Sequence, residues 1–243
     1  MKRVEYRVMY ESEDGFWWYV GMRRATAALL DRYVGAVGRV LDAGCGTGAN
    51  LIFLARYGRP VGVDLSREAL RFAATRRPEA IARASVGALP FADESFDLVT
   101  SFEVLYHLAV EDDRLALAEM ARVTRRGGWL LVRVPAYDWL RGAHDRAVHT
   151  RHRYTAGELR AKLRETGLEV VRISYLNTTL FPMAAAKRAL EWATASSSGE
   201  SDVKPLSPML NQLFAAILAA EGQALRWADL PFGLSVLALA RKP

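Results

Sequence analysis

Val40-Leu41-Asp42-Ala43-Gly44-Cys45-Gly46-Thr47-Gly48 is the stretch on which the reading of this chain turns. A short apolar strand runs into a loop with glycine at 44, 46 and 48, residues that let backbone approach a ligand closely where a strand becomes a helix. The surroundings strengthen the reading. Residues 51–57 continue as helix, and Pro60-Val61-Gly62-Val63-Asp64 is a second short strand that ends on an acid sixteen residues after Gly48. A carboxylate at the tip of the second strand suits both hydroxyls of a ribose. The dinucleotide fingerprint is G-x-G-x-x-G, whereas this loop reads G-x-G-x-G and continues with Ala49 and Asn50. Asp42, just ahead of the loop, would be poorly placed beside a pyrophosphate and well placed beside a cationic ligand. A tight turn without ligand is the plain structural alternative.

Outward from this loop, strand and helix alternate. Residues 22–36 carry apolar positions at helical spacing ahead of the strand Arg39-Val40-Leu41-Asp42. Ser66 is a good N-cap for a helix that runs to about Arg77 and stops before Pro78. Residues 81–86 read as a weaker strand, 96–101 as a stronger one, 111–124 as an amphipathic helix ended by Gly127-Gly128, and 129–134 as another strand closed by Pro135. This alternation argues a parallel sheet with helices on both faces, a doubly wound α/β fold. Residues 136–154 form a polar and aromatic loop too long for a simple connection, hence a candidate functional loop. Thr155 and Glu158 read as a capping box for the next helix, and strands follow at 168–175 and 234–240. Between those strands two helical stretches flank Ser196-Ser197-Ser198-Gly199-Glu200-Ser201-Asp202, which reads as mobile. The second stretch places Leu210, Leu213, Phe214, Ile217 and Leu218 on one face, read as packing over the site rather than as a membrane anchor.

The chain has 243 residues, 51% hydrophobic and 25% charged, the balance of a soluble globular protein. Disorder, collagen and coiled coil are excluded. Cys45 is the single cysteine, so no intramolecular disulfide forms and a reducing compartment suits the chain. The opening MKRVEYRVMYESEDG lacks a signal-peptide core, and no uncharged run approaches the roughly 18–20 residues needed to span a bilayer. A cytoplasmic location is the expectation. The net charge of +6 is concentrated: residues 122–164 hold eleven Arg and Lys against Asp138, Asp145 and Glu158, together with His144, His149 and His152. Such a stretch suits an anionic substrate, nucleic acid or an acidic membrane surface, or reflects arginine-rich composition alone.

Four segments now combine. They are Val40–Gly48, the acidic second-strand motif VGVDLS at 61–66, the run LPFADESFDLV at 89–99, and Gly127-Gly128-Trp129-Leu130-Leu131. With them the chain resembles the class I S-adenosylmethionine-dependent methyltransferases, in the small type 11 group, over about residues 40–135. The resemblance implies a Rossmann-like, seven-stranded, mostly parallel sheet with helices on both faces and a helical insertion before the last strand. It implies a single domain: a helical lid at 1–36, a cofactor core at 37–135, an active-site loop at 136–154, and a substrate-side half at 155–243 with its insertion at about 180–228. The implied cofactor is S-adenosylmethionine, its product S-adenosylhomocysteine. Asp42, Gly44, Cys45, Gly46 and Gly48 would form the cofactor loop, with Asp64 on the ribose and Leu65 beside the adenine. Ser85, Ala88 and Leu89 would flank the adenine, and Phe102 and Glu103 would sit near the methionine moiety. Ser85 stands where related proteins carry an Asp that bonds the adenine amino group. Asp97 is expected to cap backbone groups under the sheet.

The implied reaction is methyl transfer to an O, N or C nucleophile of a small or medium-sized metabolite. A nucleophile that carries a proton needs a base, and His144 or His149, in the loop over the carboxyl edge of the sheet, is the candidate. His107 faces either cofactor or solvent. Arg153 and Tyr154 are alternative clamps for an acidic or phenolic acceptor. No metal site is expected, since neither cysteine nor regular carboxylate spacing accompanies the histidines. Phe16-Trp17-Trp18-Tyr19 reads as a lid, with a packed N-terminal cap as the alternative. The rival readings are a nucleic-acid methyltransferase, disfavoured because no RNA-binding module or Asn-Pro-Pro-Tyr motif is present, a lipid-linked or membrane acceptor, and a non-catalytic cofactor-binding module. Monomer and homodimer both stay open.

Overall fold

In a computed structural model, residues 3–77, 80–142, 145–146, 148–194 and 206–243 are described. His144 and the 196–202 segment lie outside the described residues. Seven strands form one sheet: β1 (Arg39–Ala43), β2 (Arg59–Asp64), β3 (Ile81–Arg83), β4 (Phe96–Phe102), β5 (Thr124–Pro135), β6 (Glu169–Leu176) and β7 (Ser235–Arg241). Their order is β3-β2-β1-β4-β5-β7-β6. Neighbours from β3 to β5 run parallel, and β7 is antiparallel to both β5 and β6. The expected doubly wound architecture is the observed one.

The period-two alternation of the strands sorts their side chains into two core layers. Leu41, Val99, Leu130 and Ala238 face α5 (Asp113–Val123) and α6 (Ala156–Glu165), where Leu117, Met120, Leu159 and Leu163 are buried. Val40, Leu98, Leu131 and Leu237 face the other way, against Met22 and Leu29 of α2 (Trp17–Tyr33), Leu54 of α3 (Ala49–Leu54) and Leu218 of α8 (Pro208–Ala224). α4 (Arg67–Arg76) begins at the expected cap: Ser66 Oγ accepts from the Ala69 N–H at 3.2 Å. Asp97 caps the far side of the sheet, taking the Arg39 N–H and pairing with Arg125, each at 2.6 Å.

Several local expectations change. The polar opening forms α1 (Arg3–Ser12), and α2 starts at Trp17 because Phe16 is the last extended residue. β5 begins at Thr124, with a register shift where Gly127 and Gly128 bulge. Thr155 caps α6 as expected, but the Glu158 carboxylate turns to His152 Nε2 (2.9 Å) and Lys162 (3.0 Å) rather than back to the cap. α8 buries Ala215, Leu218, Glu221 and Gly222, while Leu210 and Leu213 stay exposed. It therefore packs on α2 rather than over the site. The insertion helix that reaches the site is α7 (Phe181–Thr194), through Ala184 and Arg188.

The α2–α8 contact rests on two glycines. A side-chain carbon at Gly222 would stand 2.4 Å from Ala25 Cα, and one at Gly21 would stand 2.6 Å from Leu218 Cβ. Gly222→Ala gains about 1 kcal/mol of helix propensity, but it pushes a methyl into backbone that cannot yield, an overpacking cost of about 1–3 kcal/mol. The expected outcome is a lower urea midpoint at an unchanged slope.

Candidate active site

The loop after β1 is closed onto β2 by its own backbone. The N–H groups of Gly44 and Cys45 both donate to Val63 O, at 2.8 and 2.9 Å. Gly44 and Gly46 have φ of 92° and 54°, the left-handed region that glycine enters without strain. Asp64, at the tip of β2, takes the Gly46 N–H on Oδ2 (2.9 Å) and the Ser66 N–H on Oδ1 (2.8 Å). Burial pushes its pKa up against those two hydrogen bonds. Each oxygen keeps lone-pair capacity for a further donor.

A cavity of about 710 Å³ opens at this edge. One end is walled by Gly44, Cys45, Gly46, Thr47, Asp64, Leu65 and Ser85, and roofed by Tyr6 and Met9 of α1. The roof is latched by charge. Glu13 is buried and takes hydrogen bonds from both Thr47 Oγ1 and Arg76, while Arg76 also donates to Thr47 O (2.9 Å) and pairs with Asp14 (2.8 Å). Arg76 lies over the Tyr10 ring at 4.2 Å. Burial raises the Glu13 carboxyl above its ordinary range even so.

The other end of the cavity is aromatic and cationic. Phe16, Trp17, Trp18 and Tyr19 all line it, and Trp17 and Trp18 also pack on the core. The run therefore lines the cavity and packs on the core at once. Arg133, an arginine inside an apolar strand, pairs with Glu103 at 3.0 Å and lies over Phe102 (4.9 Å) and Trp18 (5.3 Å). Burial raises the Glu103 carboxyl. Arg153 grips Asp145 with two hydrogen bonds (2.8 and 3.0 Å), and although burial alone would raise the Asp145 pKa, the arginine brings it below the ordinary value.

Other expected residues fall elsewhere. Asp42 is not on the cavity wall. It is fully buried, accepts from Thr100 Oγ1 at 2.9 Å, and its Oδ2 has no partner among the described residues. Burial pushes its pKa up to about 7. Gly48 also stays off the wall; its φ of 89° starts α3, and a side chain there would meet Ala73 at 3.1 Å. Ala88 and Leu89 do not line the cavity either, since the Leu89 N–H is drawn to Glu119 (2.8 Å), and the wall there is Ala84, Ser85 and Val86. The Cys45 thiol is pushed up by burial. Tyr154 is core: its hydroxyl donates to Asp113 at 2.6 Å, so the acceptor clamp does not fit its position. His149, at φ 59°, is not on the wall but stacks at 6.0 Å on His107, which is. Burial pushes His107 down to about 4, and its Nδ1 accepts from the Ala109 N–H at 3.1 Å.

Sequence reading missed Glu13, Arg23, Asn50, Tyr106, Arg133, Asn177 and Arg188 on the wall. Only Arg133 carried a local signal, as a charge in the run WLLVRV.

The sequence pattern of a family described as a methyltransferase domain matches residues 41–132. Among curated relatives, an uncharacterized methyltransferase of Schizosaccharomyces pombe is 37% identical over 41% of this chain and 40% of its own. A demethylmenaquinone methyltransferase of Thermobifida fusca is 37% identical over 52% of each. The chain thus spans about half the length, or less, of the curated relatives it matches. A chain from the complex between the Haloferax volcanii Trm112 methyltransferase activator and a methyltransferase aligns over 98% of this chain and 94% of its own, with TM-score 0.62 and 20% identity. An S-adenosylmethionine-dependent methyltransferase from Thermotoga maritima aligns over 98% and 95%, with TM-score 0.61 and 19% identity. At such identities the two structures show the fold alone.

Sheet order and glycine loop define a Rossmann-like class I architecture. Residues 41–132 within that sheet match the sequence pattern of a methyltransferase domain.

Asp42 gives this site a pH signature. Its folded pKa of about 7 lies above the ordinary 3.8, so the stability present at low pH is lost as pH rises between those values. Asp42→Asn keeps an oxygen for Thr100 and removes the titration. The variant's stability relative to the parent is expected to rise between about pH 4 and pH 7; urea midpoints at pH 5 and pH 8 check this, and an equal difference at both would contradict it.

Proposed function

We propose that the protein transfers a methyl group from S-adenosylmethionine to an oxygen, nitrogen or carbon nucleophile on a small or medium-sized acceptor, releasing S-adenosylhomocysteine. One observation carries this reading. A single cavity joins the Asp64 end to the aromatic and arginine end, and its volume lies within the roughly 300–1,000 Å³ of small-molecule clefts.

The residues fit that cofactor. Asp64 offers carboxylate lone pairs to the ribose hydroxyls, Leu65 and Ser85 suit the adenine, and Phe102 and Glu103 suit the methionine end. Gly46 leaves backbone open where a side chain would meet Met9 at 3.1 Å. Arg23, whose hydrogen bond to Glu13 O uses one of its five donors, supplies a cation on the same wall. When bound, the cofactor supplies an electrophilic methyl group. The chain's own part is to hold the acceptor in line and exclude water.

A hydroxyl or amine acceptor must also lose a proton. His107 is neutral, and because its Nδ1 accepts from backbone its proton sits on Nε2. It is therefore a donor on the wall rather than a base. The base role falls to His144, since His149 is off the wall. Arg153 braces the loop through Asp145 and leaves the acceptor to neighbouring groups.

A phosphate-binding role for the basic stretch is disfavoured. Arg122, Arg125, Arg126, Arg133, Arg141, Arg151, Arg153 and Lys162 each have an acidic partner within 4.0 Å. A lipid-linked acceptor is the second reading, favoured by Met183, Leu190, Met209 and Leu213, all more than half exposed on α7 and α8, and by the demethylmenaquinone methyltransferases among the relatives. Among the described residues no helix is long and apolar enough to cross a membrane.

Asp64→Ala is expected to weaken S-adenosylhomocysteine binding about tenfold to a hundredfold, by loss of a charged acceptor worth about 1.5–3 kcal/mol. Unchanged affinity by calorimetry sinks the cofactor assignment. Hydrogen exchange in α1 and in residues 136–154 is expected to slow once cofactor and acceptor are both bound. Labelled cofactor screened against metabolite pools identifies the acceptor. With it in hand, His149→Ala should keep turnover and His144→Ala should lower it roughly 100-fold or more. Full turnover in the second variant would leave catalysis to positioning alone.

A further inference from the structure

Asn177 is the first residue after β6 and is 1% exposed, yet it is one of the residues that line the cavity. Its Oδ1 is buried with no hydrogen-bond partner among the described residues. A buried carbonyl oxygen left unpaired is costly, which makes each such group in a folded protein a question to answer. The backbone offers no answer here. With φ at 62°, the position favours glycine and, after it, asparagine, whose short side chain can bond locally, yet Oδ1 makes no such bond among the described residues.

The corner that carries Asn177 is pinned from both sides. Leu176 O accepts from the Leu234 N–H at 2.8 Å, and Leu176 pairs with Ser235 across the sheet. The N–H groups of Thr178 and Thr179 donate to the buried Glu221 carboxylate of α8, at 3.1 and 2.8 Å. The amide is thus held rigidly, as a recognition group must be. The same cavity offers the rings of Trp18, Tyr19 and Tyr106 as walls for a flat partner.

We propose that Asn177 is a specificity-determining residue of the acceptor compartment. Its Oδ1 accepts a hydrogen bond from a hydroxyl or amide N–H carried on a ring that lies against the aromatic wall. This inference rests on the methyl-transfer reading for the purpose of the compartment, but its test does not need turnover.

Phenol and benzamide serve as probes that carry a donor, and anisole as the matched probe that carries none. Binding is measured by calorimetry or protein-observed NMR on the full chain saturated with S-adenosylhomocysteine. The parent is expected to bind phenol and benzamide about tenfold more tightly than anisole. Asn177→Gly suits the left-handed backbone, so its melting temperature should hold or rise while the phenol preference disappears. Asn177→Asp keeps an acceptor oxygen and should restore that preference. S-adenosylhomocysteine affinity should match in all three proteins. Equal binding of phenol and anisole by the parent overturns the inference, as does a phenol preference that survives in Asn177→Gly. If S-adenosylhomocysteine does not bind the parent, the methyl-transfer reading fails, and the probe series on the cofactor-free chain still decides the role of Asn177.

Discussion

The Asp64 carboxylate takes one backbone N–H from the turn after β1 and another from the turn after β2. Two strand-to-helix crossovers are thereby tied to one side chain at the edge of a parallel sheet, where backbone donors would otherwise lack partners. The geometry of the glycine loop, the start of α4 and the open end of the cavity all follow from that tie. Because the carboxylate has lone pairs beyond those two bonds, the group that organises the site also faces it.

A second carboxylate repeats the device one layer out. Glu13 joins Thr47 of the glycine loop to Arg76 of α4, and so draws α1 across the Asp64 end of the cavity. Buried ionic pairs of this kind add little to stability against apolar replacements, yet removing one partner typically costs about 3–5 kcal/mol. They specify where an element sits. Glu103 with Arg133, and Asp145 with Arg153, do the same at the aromatic end. Of the arginines on the cavity wall, Arg133, Arg153 and Arg188 are each matched by an acid, while Arg23 bonds the Glu13 carbonyl.

The fold was largely legible in advance, because strands buried on both faces read as short apolar runs and the glycine loop, Ser66 and Thr155 punctuate the helices where caps are needed. Asp64, Leu65, Ser85, Phe102 and Glu103 were also legible as neighbours in one cavity, since each lies at or just after the carboxyl end of a strand. The expected residues that lie off the cavity wall share a cause. Asp42, Gly48, Ala88 and Leu89 belong to the motifs by spacing, but spacing along the chain does not say which way a side chain turns once the strand is buried. Tyr154 and His149 were read from their residue type, while their neighbours Asp113 and His107 lie about 40 residues away in the chain.

What the sequence determined by itself was the local order of strand, turn and helix, and with it the class of sheet and the place of the glycine loop, because those depend on periodicity and on backbone-permissive residues close together in the chain. Tertiary structure alone decided that α1 roofs the cavity, that α8 packs on α2 through two glycines, and that Asn177 Oδ1 has no partner among the described residues. Each depends on contacts between residues far apart in the chain, where burial and charge pairing are settled only after the layers have packed.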